Sequence, residues 1–178
     1  MKKTIFLPLI TLLVAALVLF GAAFVLNGIA NQNAQAAHLK DLQTLLPGST
    51  EFTVETYTGD DANIKSVHKG ETGFVIETVT AGYAGDITML IGVSTEGKVT
   101  GLVVRDMCET IGLGANALTD WEFLAQFLNN EGDAEIGANV DAITGATVTS
   151  KAIARSINSA VAYVTGADID SGATAWGG

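Results

Sequence analysis

One cysteine, two histidines and nine basic side chains are spread thinly over 178 residues. The lone Cys108 rules out an intrachain disulfide framework and any metal cluster held by cysteines alone. His38 and His68 lie far apart and form no ligand pair at helical spacing, so a protein-ligated metal is not expected. Against nine Lys and Arg stand nineteen Asp and Glu, a formal net charge of −10. A surface this acidic argues against nucleic acid as a partner and against docking on anionic lipid headgroups.

Charge is absent altogether from Ile5 to Leu26. At 1.5 Å per residue, a helix of about 22 residues crosses the roughly 30 Å hydrocarbon core of a bilayer. Pro8 falls in the first turn or two of such a helix, where its missing donor does least damage. A cleaved signal peptide is the other reading, and Ala34-Gln35-Ala36 offers a cleavage pattern. The run is longer than the about 7–15 residues of a signal h-region, so a retained anchor is expected. Lys2 and Lys3 precede it and the next basic residue is Lys40, which places the N-terminus in the cytoplasm and the rest of the chain outside. The expected divisions are an anchor over 1–30, a juxtamembrane linker and short helix over 31–49, a folded domain over 50–166 and a loose tail over 167–178.

The short helix is read from the leucine spacing of His38 to Leu46, ended by Pro47-Gly48. From Glu51 the period changes to two. Phe52, Val54 and Thr56 alternate with polar neighbours, and Lys65–His68, Gly73–Thr80, Asp86–Val93 and Val99–Arg105 read as further strands. The apolar run over 86–93 suggests burial on both faces, and the turn Thr95-Glu96-Gly97-Lys98 makes 86–105 a central hairpin. Thr119-Asp120-Trp121-Glu122 matches a capping box for a helix that buries Phe123, Leu124, Phe127 and Leu128. The predicted fold is therefore α+β, one antiparallel sheet with helices packed on a face, preceded by one N-terminal transmembrane helix.

The most informative stretch is Asp141-Ala142-Ile143-Thr144-Gly145-Ala146-Thr147-Val148-Thr149-Ser150-Lys151. Small and hydroxyl residues there lead into Ile153, Ile157, Val161 and Val164, the apolar face of a helix. Thr147, Thr149 and Ser150 are placed to supply the cap and first-turn hydroxyls. Backbone N–H groups without intrahelical partners make such a start attractive to phosphate. A first-turn threonine is commonplace, so the local pattern alone says little more.

Two motifs in order carry a resemblance. Asp141-x-x-Thr144-Gly145-Ala146-Thr147 resembles the acceptor motif of FMN-binding domains that carry flavin covalently, through a phosphoester on the last threonine. About thirty residues earlier, Glu109-Thr110-Ile111-Gly112-Leu113-Gly114 resembles the family's Glu-Thr-Pro-Gly-Leu-Gly loop, with Ile111 where proline is usual. The likeness covers roughly residues 70–165 and includes the glycine–aromatic–glycine approach Gly82-Tyr83-Ala84-Gly85 to a strand. It implies FMN as cofactor, attached at Thr147. It implies a cofactor-binding set of Glu109, Thr110, Gly112, Leu113, Gly114, Gly145, Ala146, Thr149, Ser150 and Lys151. Within that set Thr110 and the loop backbone meet the flavin ring, Leu113 packs on it, and Gly145 and Ala146 let the phosphate approach closely.

A threonine hydroxyl is a weak nucleophile unless activated, and no His or Cys lies near Thr147 in sequence. The resemblance accordingly implies a separate flavin transferase that moves FMN from FAD with metal assistance and reads Asp141, Thr144 and Gly145. Lys151 stands in a first turn where the helix dipole prefers an acid; it is either solvated or offset by a bound phosphate. Tyr83 reads as a packing aromatic, and Cys108, without a partner cysteine or a cationic cluster beside it, as a structural thiol.

In size, single anchor and compact domain, the chain most resembles the G subunit of the Rnf ion-translocating ferredoxin:NAD oxidoreductase. The C subunit of the sodium-pumping NADH:quinone oxidoreductase is the nearest alternative, and an anchored scaffold subunit without flavin the rival from another class. The first two imply an electron carrier in a translocase complex, with the other subunits, the transferase and the bilayer as partners. A single apolar helix lacking ionisable groups cannot itself be the ion path. The acceptor pattern also recurs at Asp168-Ile169-Asp170-Ser171-Gly172-Ala173-Thr174, but only four residues follow it, too few for a helix to hold the phosphate. The topology has a direct check: protease added to intact spheroplasts should digest everything beyond Asn31. Protection there, with digestion only after lysis, would reverse the orientation.

Overall fold

The computed structural model describes residues 3–107 and 120–167, and within the first helix the side chains of residue 13, residues 15–30 and those from 32 onward. The chain divides after Lys40 into two units. The first is helical and belongs to α1, Lys3–Leu45. Within α1, Ala15–Leu45 is long and apolar enough to cross a membrane, by length and composition. Its large side chains are bare, Phe20 and Phe24 each 77% exposed. Asn31–Ala37, expected as a linker, is helical too. The alanines and glutamines there favour helix, and no glycine or proline interrupts the chain from Ile29 to Leu46.

The second unit begins at Asp41. Five strands follow in order: β1 (Thr53–Glu55), β2 (Ile64–Lys69), β3 (Gly73–Ala81), β4 (Asp86–Ser94) and β5 (Val99–Met107). Each pairs antiparallel with the next, a simple meander. Two helices come after them, α2 (Trp121–Ala125) and α3 (Thr147–Thr165). The hairpin expected at the centre lies instead at one side: β4 is interior, and β5 ends the strand order among the described residues.

Strand alternation sends side chains to two separate cores. On one face Val67, Ile76, Ile87, Met89, Ile91 and Val93 meet Ile153, Ile157 and Val161 of α3 and Phe123 and Phe127 of the α2 segment. On the other, Val75 and Leu90 meet Leu42, Leu45 and Leu46. Helical residues therefore cover both faces, not one as the sequence suggested. Fully burying a side chain such as Ile153 or Ile157 contributes about 1.5–3 kcal/mol.

The second core depends on close approach. Gly92 and Gly101 pair across β4 and β5; a Cβ on Gly92 would run into the Leu45 carbonyl, and one on Gly101 would press tightly on Leu45. Without those Cβ atoms the end of α1 settles on the sheet, and Thr100 Oγ1 donates to the Leu45 carbonyl at 2.6 Å. Arg105 of β5 pairs with Asp41 at 3.2 Å. These contacts were not legible from leucine spacing, which shows an amphipathic helix but not where it lands.

The α2 segment corrects a detail of the sequence reading. Its N-cap is Asp120, whose carboxylate accepts the Phe123 N–H at 3.0 Å; Thr119 lies outside the described residues. The helix ends at Ala125 and Asn129 takes φ +63°, so helical spacing lapses. Phe123 and Phe127 are buried edge to face at 5.2 Å, while Leu128 sits at the surface.

After α1 the chain is held to the β2–β3 turn. Glu71 accepts the Thr50 N–H at 2.8 Å and the Thr50 hydroxyl at 3.1 Å, and Ser49 Oγ lies 2.9 Å from Thr72 Oγ1. The Thr50 backbone bond holds the Glu71 carboxyl below the ordinary glutamate value of 4.5. A depressed carboxylate contributes stability that is present above its unfolded value and is lost as pH falls through the folded one. The denaturation midpoints of wild type and Glu71→Gln should thus differ at pH 7 and converge below about pH 4.5. A gap independent of pH would show that the carboxylate contributes nothing through its charge.

Candidate functional site

One end of the sheet lies beneath the start of α3. Thr80, near the end of β3, donates to the Ala152 carbonyl at 3.2 Å and lies 2.8 Å from Ser156 Oγ, which fixes the first turns of α3 over that end. Thr80 pairs with Ile87, and Ile87 with Met107, so the β3–β4 turn and the exit of β5 share it. Ile143, just before α3, and Met107 pack on the same core. The segment Cys108–Thr119 leaves from Met107. It lies outside the described residues, and with it the expected loop residues Glu109, Thr110, Gly112, Leu113 and Gly114.

The acceptor turn is pinned by its own backbone. Asp141 N–H donates to Gln126 Oε1 at 2.8 Å, and Ala146 N–H to the Ile143 carbonyl at 2.9 Å. Ser150 ties the turn from beneath: its hydroxyl accepts the Ile143 N–H at 3.1 Å and donates to the Ala146 carbonyl at 3.0 Å. Gly145 has φ +78°, a left-handed conformation open to glycine at little cost. Asp141, Thr144 and Gly145 are exposed, and Ala146 is buried.

Here the expected ring of capping hydroxyls does not form. The N-cap of α3 is Ala146, which has no side-chain acceptor, and no side-chain cap bond is made. Thr149 and Ser150 fall on the inward face and are buried, while Thr147 and Lys151, one turn apart on the outward face, are exposed. Among the described residues no side chain caps the first-turn N–H groups, and an exposed threonine hydroxyl stands beside them. Such a helix start favours an anion such as phosphate. Thr147 has the access that a phosphoester needs; the two hydroxyls after it do not.

Tyr83, read from the sequence as a packing aromatic, is largely solvent-exposed, at 71%, in the β3–β4 turn at the same end of the sheet. Gln126 and the inward role of Ser150 were missed, because a contact fifteen residues away and a helix side chain turned back on its own entry leave no local signature. Among the described residues no group of three His, Cys, Asp or Glu could hold a metal ion. An open polar concavity of about 330 Å³ lies beside Gln126, Asn130, Asp133 and Asn139. Those side chains already bond the loop to itself, Asn130 Nδ2 to Asp133 Oδ1 at 3.0 Å and Asn139 Nδ2 to the Asp133 carbonyl at 2.7 Å.

The class comes from the family match: residues 82–162, from the β3–β4 turn through most of α3, match the FMN-binding domain family. Relatives narrow it. The chain is 28% identical over 163 residues to the G subunit of the proton-translocating ferredoxin:NAD(+) oxidoreductase complex of Clostridium ljungdahlii, covering 88% of this chain and 87% of that one. It is 35% identical over 147 residues to the G subunit of an ion-translocating oxidoreductase complex of Methanosarcina acetivorans, covering 73% and 77%. To the G subunit of the Na(+)-translocating ferredoxin:NAD(+) oxidoreductase complex of Acetobacterium woodii it is 37% identical over 98 residues, about half of each chain. The chain belongs to this family of G subunits.

Replacing Ser150 by alanine tests the turn. The Ile143 N–H loses its acceptor, and an unsatisfied donor costs about 1–3 kcal/mol. Urea denaturation should show a loss of that size for Ser150→Ala with an unchanged slope; wild-type stability would mean that the turn does not depend on this hydroxyl.

Proposed function

We propose that this chain is a membrane-anchored electron-transfer subunit carrying FMN as a phosphoester on Thr147, in an Rnf-type ferredoxin:NAD oxidoreductase coupled to ion translocation. The observation that supports it best is the contrast within the acceptor turn: Thr147 is exposed at an uncapped helix start, whereas Thr149 and Ser150 are buried. Family membership supplies the flavin, and the G-subunit relatives supply the complex.

In this reading the first-turn amides of α3 and Lys151 hold the phosphate, and the small residues Gly145 and Ala146 leave room for it. The loop Glu109–Gly114, which starts two residues after the end of β5, brings Thr110 and Leu113 and its glycine backbone to the flavin ring. FMN supplies reversible electron uptake; the protein supplies attachment, orientation and local charge. A threonine hydroxyl is a weak nucleophile unless activated, and among the described residues no group of three His, Cys, Asp or Glu could hold a metal ion, so attachment is assigned to a separate enzyme. A flavin transferase that recognises Asp141, Thr144 and Gly145 would join Thr147 Oγ to the FMN phosphorus of FAD. The pyrophosphate bond breaks, AMP leaves, and the hydroxyl proton passes to the transferase. The membrane segment of α1 holds the domain at the outer face with the N-terminus in the cytoplasm, and neighbouring subunits carry the ion.

The experiment must separate Thr147 from Thr174, the end of the second acceptor pattern. Denatured protein from cells that possess the transferase should give a fluorescent band in a gel, lost in Thr147→Ala. Peptide mass spectrometry should find FMN on the Thr147 peptide, with Thr174 unmodified or only partly modified. A dark wild-type band would favour a scaffold subunit, and FMN on Thr174 alone would overturn the assignment.

A further inference from the structure

The basic residues of the folded unit fall into two groups. Lys69 pairs with Glu55 at 3.5 Å, Lys98 with Glu131 at 3.5 Å and Arg105 with Asp41 at 3.2 Å, while Lys65 donates to the Ala62 carbonyl at 3.4 Å. Lys151 and Arg155 pair with no carboxylate among the described residues. Both lie on α3, which contains no acidic residue, in a chain where acids outnumber bases nineteen to nine. They are four residues apart, a spacing at which like charges repel. Arg155 also has its Nε buried with no hydrogen-bond partner. An acid-rich surface would readily neutralise two such cations, and the described part of this one does not.

Their position gives them a use. Thr147, Lys151 and Arg155 follow at intervals of four along one face of α3, Thr147 and Lys151 exposed and Arg155 half-buried. At 1.5 Å per residue, Arg155 is about 12 Å along the axis from Thr147. Long helical side chains lean toward the N-terminus, so its guanidinium is carried back toward the turn that holds Thr147. Lys151, one turn nearer, answers the phosphate. Arg155 then remains as a second positive charge whose field reaches the flavin through a partly desolvated environment, where charges act more strongly than in water.

We propose that Arg155 tunes the flavin by its charge, acting with Lys151 as a pair of cations that meet no carboxylate among the described residues, and raising the flavin's reduction potential. The proposal rests on attachment at Thr147. Two electrons and one proton convert the neutral oxidised ring into an anionic reduced ring, and a fixed positive charge favours the product. Nothing in the acceptor motif requires this residue, which lies eight positions beyond Thr147, the motif's last residue.

The test is a spectroelectrochemical titration of the full-length holoprotein, purified from membranes of cells that possess the transferase, after mass spectrometry has located FMN. Arg155→Gln and Arg155→Met remove the charge, and methionine also keeps an apolar stem where the buried Nε had no partner. Both should remain flavinylated, with reduction less favourable by about tenfold, a fall of about 30 mV for a two-electron couple. Arg155→Lys should stay near wild type. A wild-type potential in the Gln and Met variants would overturn the proposal, and so would an equal shift in all three, which would indicate lost packing instead of lost charge. Wild-type protein without FMN on Thr147 would overturn the attachment reading and this proposal together; flavin on Thr147 with unmoved potentials would overturn only the role of Arg155.

Discussion

Burial of β4 on both faces is the constraint that the folded unit is arranged around. Its side chains alternate between two cores, with Met89 and Ile91 under α3 and Leu90 under the end of α1. A sheet with both faces apolar must be covered twice, or it exposes a surface of high association risk. One cover comes from the C-terminal helix and the other from residues that precede the first strand. The two ends of the unit's sequence are thereby committed to the same strand. Gly92 makes this possible at one point, since a side chain there would collide with the Leu45 carbonyl.

The acceptor turn depends on that arrangement. α3 is fixed by Ile153, Ile157 and Val161 against the sheet and by the Thr80–Ser156 hydroxyl contact at 2.8 Å. Once its inward face is set, helical geometry decides which hydroxyls are available. Thr149 and Ser150 turn inward, and Thr147 turns out. The same geometry places Ser150 where it can bond back to Ile143 and Ala146 and hold the turn rigid. Attachment at a fixed helix start would give a flavin a defined origin, which suits electron transfer better than a tether on loose chain.

Much of this was legible in the sequence, for identifiable reasons. The strands from Ile64 to Met107 and the helix from Thr147 follow from apolar periods of two and near four, which depend on the residues themselves. The likeness to FMN-binding domains rested on Asp141–Thr147 and Glu109–Gly114; the first of these leads into α3, and the second lies outside the described residues. Other features were hidden because they depend on contacts between distant residues. Strand order moved the hairpin from the centre to one side, and the docking of Leu42 and Leu45 put helical residues on the second face. The capping prediction failed at both helices for a common reason. A list of hydroxyl and acidic residues does not say which one stands at the N-cap; backbone geometry chose Asp120 for α2 and Ala146, which cannot cap, for α3.

That absent cap bears on function. A helix start with a serine or aspartate at the N-cap satisfies part of its own N–H deficit and competes with any incoming anion. With alanine there, the competition is removed and the amides of the first turn remain available to a phosphate. The cost to an isolated helix is about 1 kcal/mol. In this fold the cost is offset by side-chain and backbone bonds that hold the turn from below, those of Ser150, Gln126 and the Ile143 carbonyl. Stability is thus supplied on the buried side of the turn, and on the exposed side no described side chain caps the helix start. Exposed Lys151 and half-buried Arg155 follow along α3, and neither meets a carboxylate among the described residues of an otherwise acidic chain.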